Sequence, residues 1–153
     1  MANSYTQLYT QLVFAVKYRE ALILPAWEGQ LYRYITGIIQ NRKHKLMAIN
    51  GMPDHIHIFI SMNPDDAISD LVREVKKAST DFIKAQKLCP FKFQWQAGYG
   101  AFSYSKSHSP RVIRYVLNQK EHHRKKTFRE EYTALLKAFE VAYQDQYLFD
   151  FFD

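Results

Sequence analysis

Polar and hydrophobic residues alternate in several short stretches of the chain, and a period of two is typical of β-strands. The pattern predicts strands at residues 8–16, 45–50 and 55–62 and an extended segment at residues 93–104. Residues 51–54 (Gly-Met-Pro-Asp) have the composition of a turn, so the second and third strands are predicted to form a hairpin.

Four other stretches carry apolar residues every three or four positions, which indicates amphipathic helices. Pro25 suits the first turn of one helix, and residues 63–66 are predicted to cap the next. Thr127 and Glu130 form a capping box before the last helix. The helices are predicted at residues 25–39, 66–87, 109–122 and 127–141.

The first six predicted elements follow the order β-α-β-β-α-β, the split arrangement of ferredoxin-like folds. We therefore predict an α+β protein with a four-stranded antiparallel sheet and two helices on one face. Two C-terminal helices follow, the first of which carries a tyrosine. Alternate strand residues face opposite sides. Ile56, Ile58 and Ile60 should point at the helices. His55 and His57 should point at the other, open face.

The composition is that of one globular domain, which we predict to span residues 1–153. Hydrophobic residues make up 47% of the chain, but no run of about 18 apolar residues predicts a membrane span. The first residues lack the basic segment and apolar core of a signal peptide. The single cysteine, Cys89, excludes an internal disulfide and a cysteine-based zinc site, and it favours a reducing cytoplasm.

The net charge of +6 is unevenly distributed along the chain. Residues 106–129 hold eight basic residues against one acid, whereas residues 130–153 hold six acids against one lysine. A basic block beside an acidic tail favours a polyanionic partner for the block, such as nucleic acid. The alternative interpretation is an ordinary solvated helix face.

The most informative motif is His55-Ile56-His57 on the predicted third strand. Because strand side chains alternate, both imidazoles project to the same side and form half of a divalent-metal site. Asp54 precedes them and points the other way, so it is expected to cap the turn instead. The alternative interpretation is a pair of strand histidines making ordinary hydrogen bonds.

Tyr115 and Gln119 lie one turn apart on the predicted helix 109–122, so both side chains share a face. By the 3.6-residue period, that face is well away from the apolar stripe of Val112, Ile113, Val116 and Leu117. The alternative is a surface tyrosine that packs on its neighbours. The basic residues on the same helix and the histidine pair favour a tyrosine with a chemical role.

Three segments carry a resemblance to a known family. They are Gly-Met-Pro-Asp-His-Ile-His at 51–57, Trp-Gln-Ala-Gly-Tyr-Gly-Ala-Phe-Ser at 95–103, and Tyr-Val-Leu-Asn-Gln at 115–119 with Glu-His-His at 121–123, Phe128 and Glu-Glu at 130–131. In this order they are similar to the small single-tyrosine transposases of bacterial insertion sequences, in the HUH nuclease superfamily. The similarity spans nearly the whole chain.

The resemblance implies that His55, His57 and Gln119 hold a Mg²⁺ or Mn²⁺ ion and that Tyr115 is the nucleophile. It implies cleavage and rejoining of single-stranded DNA through a 5′-phosphotyrosine and recognition of imperfect DNA hairpins at element ends. It also implies a homodimer with sheets joined edge to edge, in which the tyrosine helix can serve the partner's metal site. His122 is a candidate for helping the tyrosine lose its proton.

Basic side chains of the predicted helix 66–87 and of the basic block at residues 106–129 are the candidate phosphate contacts. They are Arg73, Lys76, Lys77, Lys84, Lys106, Arg111, Arg114, Lys120 and Arg124. Tyr99, Phe102 and Tyr104 either stack on bases or fill the sheet.

Two other interpretations stay open. The first is a non-catalytic single-strand nucleic-acid-binding module on the same fold, because residues 97–104 partly match the aromatic strand of RNA-recognition domains. That match lacks the leading basic residue, and Ala101 replaces the central aromatic residue. The second is a host-domesticated relative that acts on dispersed palindromic repeats and would have the same site.

Overall fold

The structure is a computed structural model that describes residues 4–152. Its strands are β1 (Tyr9–Ala15), β2 (Lys45–Met52), β3 (His55–Ser61) and β4 (Gly100–Tyr104). Its α-helices are α1 (Pro25–Asn41), α2 (Ile68–Ala85), α3 (Ser109–Leu117), α4 (Gln119–His122) and α5 (Phe128–Ala138). Short 3₁₀ turns lie at Arg19–Ala21, Lys106–His108 and Asp145–Tyr147. Within residues 4–152, every helix is too short or too polar to cross a bilayer.

The strands form one antiparallel sheet in the order β2-β3-β1-β4, which confirms the predicted α+β, ferredoxin-like arrangement. The histidine strand β3 is central. His57 lies opposite Val13 of β1 and Asn50 of β2. The predicted hairpin between β2 and β3 is present.

One face of the sheet packs against α1 and α2. Ile56, Ile58 and Ile60 are fully buried there, as their alternation along β3 predicts. They share one apolar cluster with the inward positions of the two helices, which include Leu31, Ile35, Ile39, Leu71, Val75 and Ile83. Burial of apolar area of this kind is the main driving force for folding.

The expectation that the opposite face is open is wrong, because the C-terminal helices cover it. His55 and His57 are fully buried. Val112 and Val116 of α3 pack there against Phe59 of β3. The physical reason is that α3 is amphipathic and needs an apolar surface for its own stripe.

The third predicted helix is interrupted rather than continuous. α3 ends at Leu117, and Asn118 has φ −99° and ψ 21°, outside the helical region. The side-chain amide of Asn50 on β2 donates to the Leu117 carbonyl at 2.9 Å, which satisfies a group at the end of α3. A short helix, α4, then starts at Gln119.

The predicted cap at residues 63–66 is also wrong. α2 begins at Ile68, and its N-cap is Ala67, which has no polar side chain. Asp66 instead accepts hydrogen bonds from the Arg42 guanidinium at 2.7 and 2.8 Å and faces His44 at 2.8 Å. A paired guanidinium satisfies the carboxylate better than a single cap interaction would.

The predicted extended segment 93–104 is a regular strand only over Gly100–Tyr104, with an isolated bridge between Trp95 and Val16 earlier in the segment.

In the hairpin next to the histidines, position 51 requires glycine because the backbone of β3 approaches it closely. A Cβ atom at this position would lie 2.3 Å from the His55 carbonyl oxygen and 2.9 Å from the Ile56 Cα.

Candidate active site

Two imidazoles of strand β3, those of His55 and His57, are held in a fixed orientation. His55 Nδ1 lies 2.7 Å from a carboxylate oxygen of Asp54, and His57 Nδ1 lies 2.7 Å from the amide oxygen of Gln11. Both of these oxygens accept hydrogen bonds, so each Nδ1 carries the hydrogen. The Nε2 atom of each ring is therefore left with its lone pair, which is the arrangement that a metal-binding histidine uses.

His123 supplies a third imidazole from the residues just after α4. Its Nδ1 lies 2.9 Å from the Lys126 carbonyl oxygen, so its Nε2 is also available. One carboxylate oxygen, Glu131 Oε1, lies among the three rings. Its distances to Nε2 are 3.0 Å for His57, 3.2 Å for His123 and 3.3 Å for His55.

This cluster fits a metal cation. Three nitrogen lone pairs facing one carboxylate oxygen repel each other unless a proton or a metal ion lies between them. One ligand atom from each of His55, His57, His123 and Glu131 lies within 4.8 Å of all the others. Two ligands at about 2.1 Å from one ion can be at most about 4.2 Å apart, so the cluster needs adjustments of about half an ångström at most.

The protonation of the cluster follows from burial and mutual contact. Burial would raise the pKa of the Glu131 carboxyl, but the hydrogen bonds that His123, His55 and His57 donate when a proton occupies Nε2 outweigh burial and lower that pKa far below its usual range. Burial lowers the pKa of His57. Burial acts in the same direction on His55, but hydrogen bonds to Asp54 and Glu131 reverse it and raise its pKa.

Tyr115 reaches the rim of this cluster from α3. Its phenol donates a short hydrogen bond to Glu131 Oε2, and its ring centre lies 5.6 Å from that of His57. Burial, and then the negative charge and hydrogen bond of Glu131, raise the pKa of the Tyr115 phenol far above its usual value near 10. His122 Nε2 lies 3.3 Å from Glu131 Oε2, without the alignment of a hydrogen bond to any described atom.

Gln119 is fully buried at the edge of the cluster. Its Nε2 donates to Glu131 Oε2 at 3.1 Å. Its amide oxygen lies 3.0 Å from His123 Nε2 and 3.4 Å from His55 Nε2, so it points toward the same space as the other donors. The structure thus brings together the four residues predicted from the sequence, namely His55, His57, Tyr115 and Gln119.

The surrounding elements hold these groups in place. Phe128, the first residue of α5, stacks flat on the His55 ring at 3.7 Å with an interplanar angle of 2°. The predicted capping box of Thr127 and Glu130 is confirmed, and it fixes the start of α5 one turn before the site. On the other side, the Lys120 ammonium donates to the Gly51 carbonyl and ties α4 to the hairpin.

The predicted DNA contacts fall into different environments. Arg111 and Arg114 are exposed and line an open groove of about 740 Å³ beside Tyr115, together with Lys125 and Lys126. Lys106 is exposed near the start of α3. This side of the molecule is therefore strongly positive.

The remaining predicted contacts are paired with protein groups or lie elsewhere. Lys76 donates to the carbonyls of Gln96 and Gly98 at 2.8 and 2.6 Å, and burial lowers its pKa to about 8. Arg73, Lys120 and Arg124 form ion pairs with Asp70, Glu28 and Glu121. Lys77 and Lys84 are exposed on α2, behind the sheet.

The three aromatic residues near β4 also differ in environment. Phe102 is buried against Tyr132 and Phe139, and Tyr104 accepts a hydrogen bond from the Gln11 side chain. These two residues fill the sheet. Tyr99 is 37% exposed and lines a groove on the α2 side.

Sequence reasoning missed His123 and Glu131 as members of the cluster. A signal for Glu131 exists in the sequence, because it lies on the face of α5 that carries Phe128, Tyr132 and Leu136, all of them buried. A carboxylate in an apolar stripe is costly unless it has partners. His123 has no comparable signal, since its position depends on the break after Leu117.

The four-stranded antiparallel sheet and its helices have the fold of a tyrosine transposase of known structure. The family model described as "Transposase IS200 like" matches residues 4–119, which is more than half of the chain. The chain belongs to this family.

The sequence is similar to the ISDra2 transposase TnpA of Deinococcus radiodurans, with 32% identity over 73 residues. The matched part is 48% of this chain and 52% of that protein, so the chain spans about half the length of this curated relative.

Two solved structures share the fold. One, from Deinococcus radiodurans R1 and classed as a transposase, has a TM-score of 0.61 and 23% identity, covering 78% of this chain and 95% of that chain. The other is a REP-associated tyrosine transposase bound to a REP hairpin, with a TM-score of 0.58 and 18% identity, covering 100% of this chain and 93% of that chain.

Proposed function

We propose that this protein is a DNA transposase that cleaves and rejoins single-stranded DNA through a 5′-phosphotyrosine on Tyr115. The observation that supports this most strongly is the contact of the Tyr115 phenol with a carboxylate inside a buried cluster of imidazoles. Membership of the transposase family and the likeness to known relatives agree with it.

His55, His57 and Gln119 are the proposed metal ligands, and Mg²⁺ or Mn²⁺ is the proposed ion. When bound, such an ion polarises a phosphate oxygen and stabilises charge on the leaving oxygen. Asp54 and Gln11 orient the two strand imidazoles through their Nδ1 atoms, so the chain keeps both Nε2 atoms directed at the cluster.

In the proposed step, the Tyr115 phenol oxygen attacks phosphorus in line and the bond from phosphorus to the 3′-oxygen breaks. The phenol loses its proton as the new bond forms, and the 3′-oxygen gains one as it leaves. One phosphodiester replaces another, so a second 3′-hydroxyl can reverse the step and join a new strand. The contacts of Tyr115 with Glu131 and with the His57 ring limit the motion of the hydroxyl and hold it at the rim of the cluster.

DNA binding is proposed for the positive groove beside Tyr115. Arg111 and Arg114 line it, and their guanidinium groups are exposed and suited to phosphate oxygens. Lys106, Lys120 and Arg124 are further proposed contacts in the basic block at residues 106–129, and Arg73, Lys76, Lys77 and Lys84 are the proposed contacts on α2. A hairpin at the end of a mobile element is the proposed substrate.

A homodimer is also proposed, on the resemblance to the family. The Tyr115 phenol already contacts Glu131 of the same chain, which supports assembly of the site within a single chain. Mixing Tyr115→Phe protein with His57→Gln protein tests this point. Assembly within one chain predicts no activity in the mixture, whereas exchange of tyrosine helices between subunits predicts partial recovery. Size-exclusion chromatography with light scattering measures the oligomeric state.

The proposed activity is tested by incubating the protein with labelled single-stranded DNA that carries hairpins from the ends of the element, with Mn²⁺ or with a chelator. We expect a covalent protein–DNA adduct that requires the metal and disappears in Tyr115→Phe. Tyr147→Phe is the matched control, because Tyr147 is 79% exposed and is not a member of the cluster.

Binding of the hairpin without any adduct would contradict the proposal and support the non-catalytic binding module. An adduct formed with dispersed palindromic repeats, but not with DNA that flanks the gene, would support the host-domesticated alternative.

A further inference from the structure

We infer that Glu131 joins the cation site to the nucleophile: its Oε1 is a metal ligand together with His55, His57 and His123, while its Oε2 holds the Tyr115 hydroxyl. The inference rests on the proposed function for the role of Tyr115. It adds two ligands to the predicted set and makes one carboxylate serve both halves of the site.

The two oxygens of Glu131 have separate environments. Oε1 faces three imidazole nitrogens at 3.0 to 3.3 Å, and these nitrogens have their other ring atoms tied to acceptors. Oε2 accepts hydrogen bonds from the Tyr115 phenol and from the Gln119 amide. A carboxylate can accept on both oxygens at once, so one side chain is able to bridge the two groups.

The burial of Glu131 supports a specific role. Its side chain is only 2% exposed, and a buried carboxylate destabilises the fold unless hydrogen-bond donors or a cation compensate it. Two features of the chain position Glu131. They are the capping box that starts α5 and the stacking of Phe128 on His55. An apolar residue would fit the stripe of α5 without this cost.

The donor set indicates the class of ion. Three imidazoles and one carboxylate, together with the amide oxygen of Gln119, match the ligands of transition-metal dications such as Mn²⁺, Co²⁺ and Zn²⁺. Mg²⁺ prefers an octahedral shell of oxygens and keeps several waters. We therefore infer that the site binds a transition dication more tightly than Mg²⁺.

His123 and Glu131 lie beyond the residues that the family model matches, which end at Gln119. These two ligands come from the segment that follows the break at Asn118, where α4 and α5 fold back over the histidine face.

One shared carboxylate couples the two halves of the site. A cation at the cluster draws electron density toward Oε1 and so weakens the acceptor strength of Oε2. The hydrogen bond from Tyr115 then changes when the ion binds. The environment of the phenol therefore reports on occupancy of the metal site.

The first test is a calorimetric titration of the protein with Mn²⁺, Zn²⁺ and Mg²⁺ in the absence of DNA. Glu131→Gln is compared with wild type and with Glu130→Gln, which makes the same change one residue earlier and keeps the capping box. We expect Glu131→Gln to weaken Mn²⁺ binding by at least about tenfold and Glu130→Gln to bind like wild type.

The second test places 3-fluorotyrosine at position 115 of the otherwise native chain and records its ¹⁹F resonance while Zn²⁺, which is diamagnetic, is added. We expect the resonance to shift on Zn²⁺ binding and the same label in Glu131→Gln not to shift. Fluorotyrosine at the exposed position 147 is the control and should not respond. The measurement on the native Glu131 protein is informative even if Glu131→Gln does not fold.

The inference is overturned if Glu131→Gln binds Mn²⁺ as tightly as Glu130→Gln, or if the Tyr115 resonance of the native protein ignores Zn²⁺. Preference for Mg²⁺ over Mn²⁺ would also overturn it. Because these experiments contain no DNA, they separate the inference from the proposed function, which fails instead on the absence of a Tyr115 adduct.

Discussion

The two faces of the sheet bury the same strand in opposite ways. On the α1 and α2 side, Ile56, Ile58 and Ile60 lie in an ordinary apolar core. On the α3 to α5 side, His55 and His57 are buried to the same extent but in a polar cluster. Both faces exclude water. Burial of the isoleucines stabilises the fold by itself, whereas burial of the imidazoles does so only if they have hydrogen-bond or metal partners.

Burial alone therefore does not distinguish the hydrophobic core from the candidate active site. The isoleucine face stabilises the fold through area and packing. The histidine face costs desolvation, which the hydrogen bonds that the imidazoles donate to Asp54 and Gln11, and their convergence on Glu131, offset in part. A face of this kind is expected to limit stability and to carry the chemistry.

Substitutions at two adjacent positions of β3 should show the different roles of the two faces most clearly. We expect His57→Gln to lower DNA cleavage by about a hundredfold or more, because it removes a proposed metal ligand, while the protein stays folded. Ile58→Ala should instead lower the free energy of unfolding by about 2–5 kcal/mol, because it leaves a cavity in the apolar core. Adduct formation and urea unfolding measure the two effects.

Cleavage should be nearly normal in Ile58→Ala at temperatures where this variant is folded. Equal losses of activity and stability in both variants would contradict the division of roles between the faces.

Binding of a metal ion should stabilise the folded protein, and it should do so through the histidine face alone. At a free Mn²⁺ concentration about 100 times the dissociation constant, binding to the folded state adds about 2.7 kcal/mol. For a chain of this size that corresponds to a rise in Tm of roughly 5–10 °C. Thermal unfolding with Mn²⁺ and then with excess chelator measures it. Ile58→Val should retain the rise and His57→Gln should lose most of it. A similar rise in both variants would indicate metal binding elsewhere.

Gly51 tests the hairpin that aligns the two faces. An added methyl group would overlap the His55 carbonyl, so Gly51→Ala should cost about 1–3 kcal/mol of unfolding free energy. Gly37→Ala is the control, because its Cβ meets nothing within 4 Å in the middle of α1. A Gly51→Ala protein as stable as wild type would show that the hairpin relaxes freely.

The smallest expected effect is a pH dependence remote from the cluster. The Arg42 guanidinium, followed by His44, lowers the pKa of Asp66 from 3.8 to about 2. A carboxyl with a depressed pKa stabilises the folded state above its unfolded pKa and loses that contribution as the pH falls toward the folded value. The stability gap between wild type and Asp66→Asn should therefore be constant above about pH 5 and shrink between pH 4 and pH 2.

Urea unfolding across that range measures the gap, with Asp65→Asn as the neighbouring control. A gap that stays constant down to pH 2 would mean that Asp66 does not stabilise the fold through its charge.

The alternating and helical periods of this chain were enough to predict the sheet, the four main helical segments and the faces of β3, because local periodicity follows directly from backbone geometry. The pairing of His55 with His57 is of this kind. The end of α3 before Asn118 and the start of α2 after Ala67 were not predictable from the sequence. The ends of helices depend on which distant groups satisfy their backbone, as the Asn50 side chain does at Leu117.

Local sequence patterns are therefore sufficient for the scaffold and for the two imidazoles that one strand directs to the same side of the sheet. Only the tertiary structure added His123 and Glu131, since α4 and α5 bring them to β3 across 66 to 76 residues of chain. Convergence of groups so far apart is a property of packing, and packing is set by the whole molecule at once rather than by any local pattern.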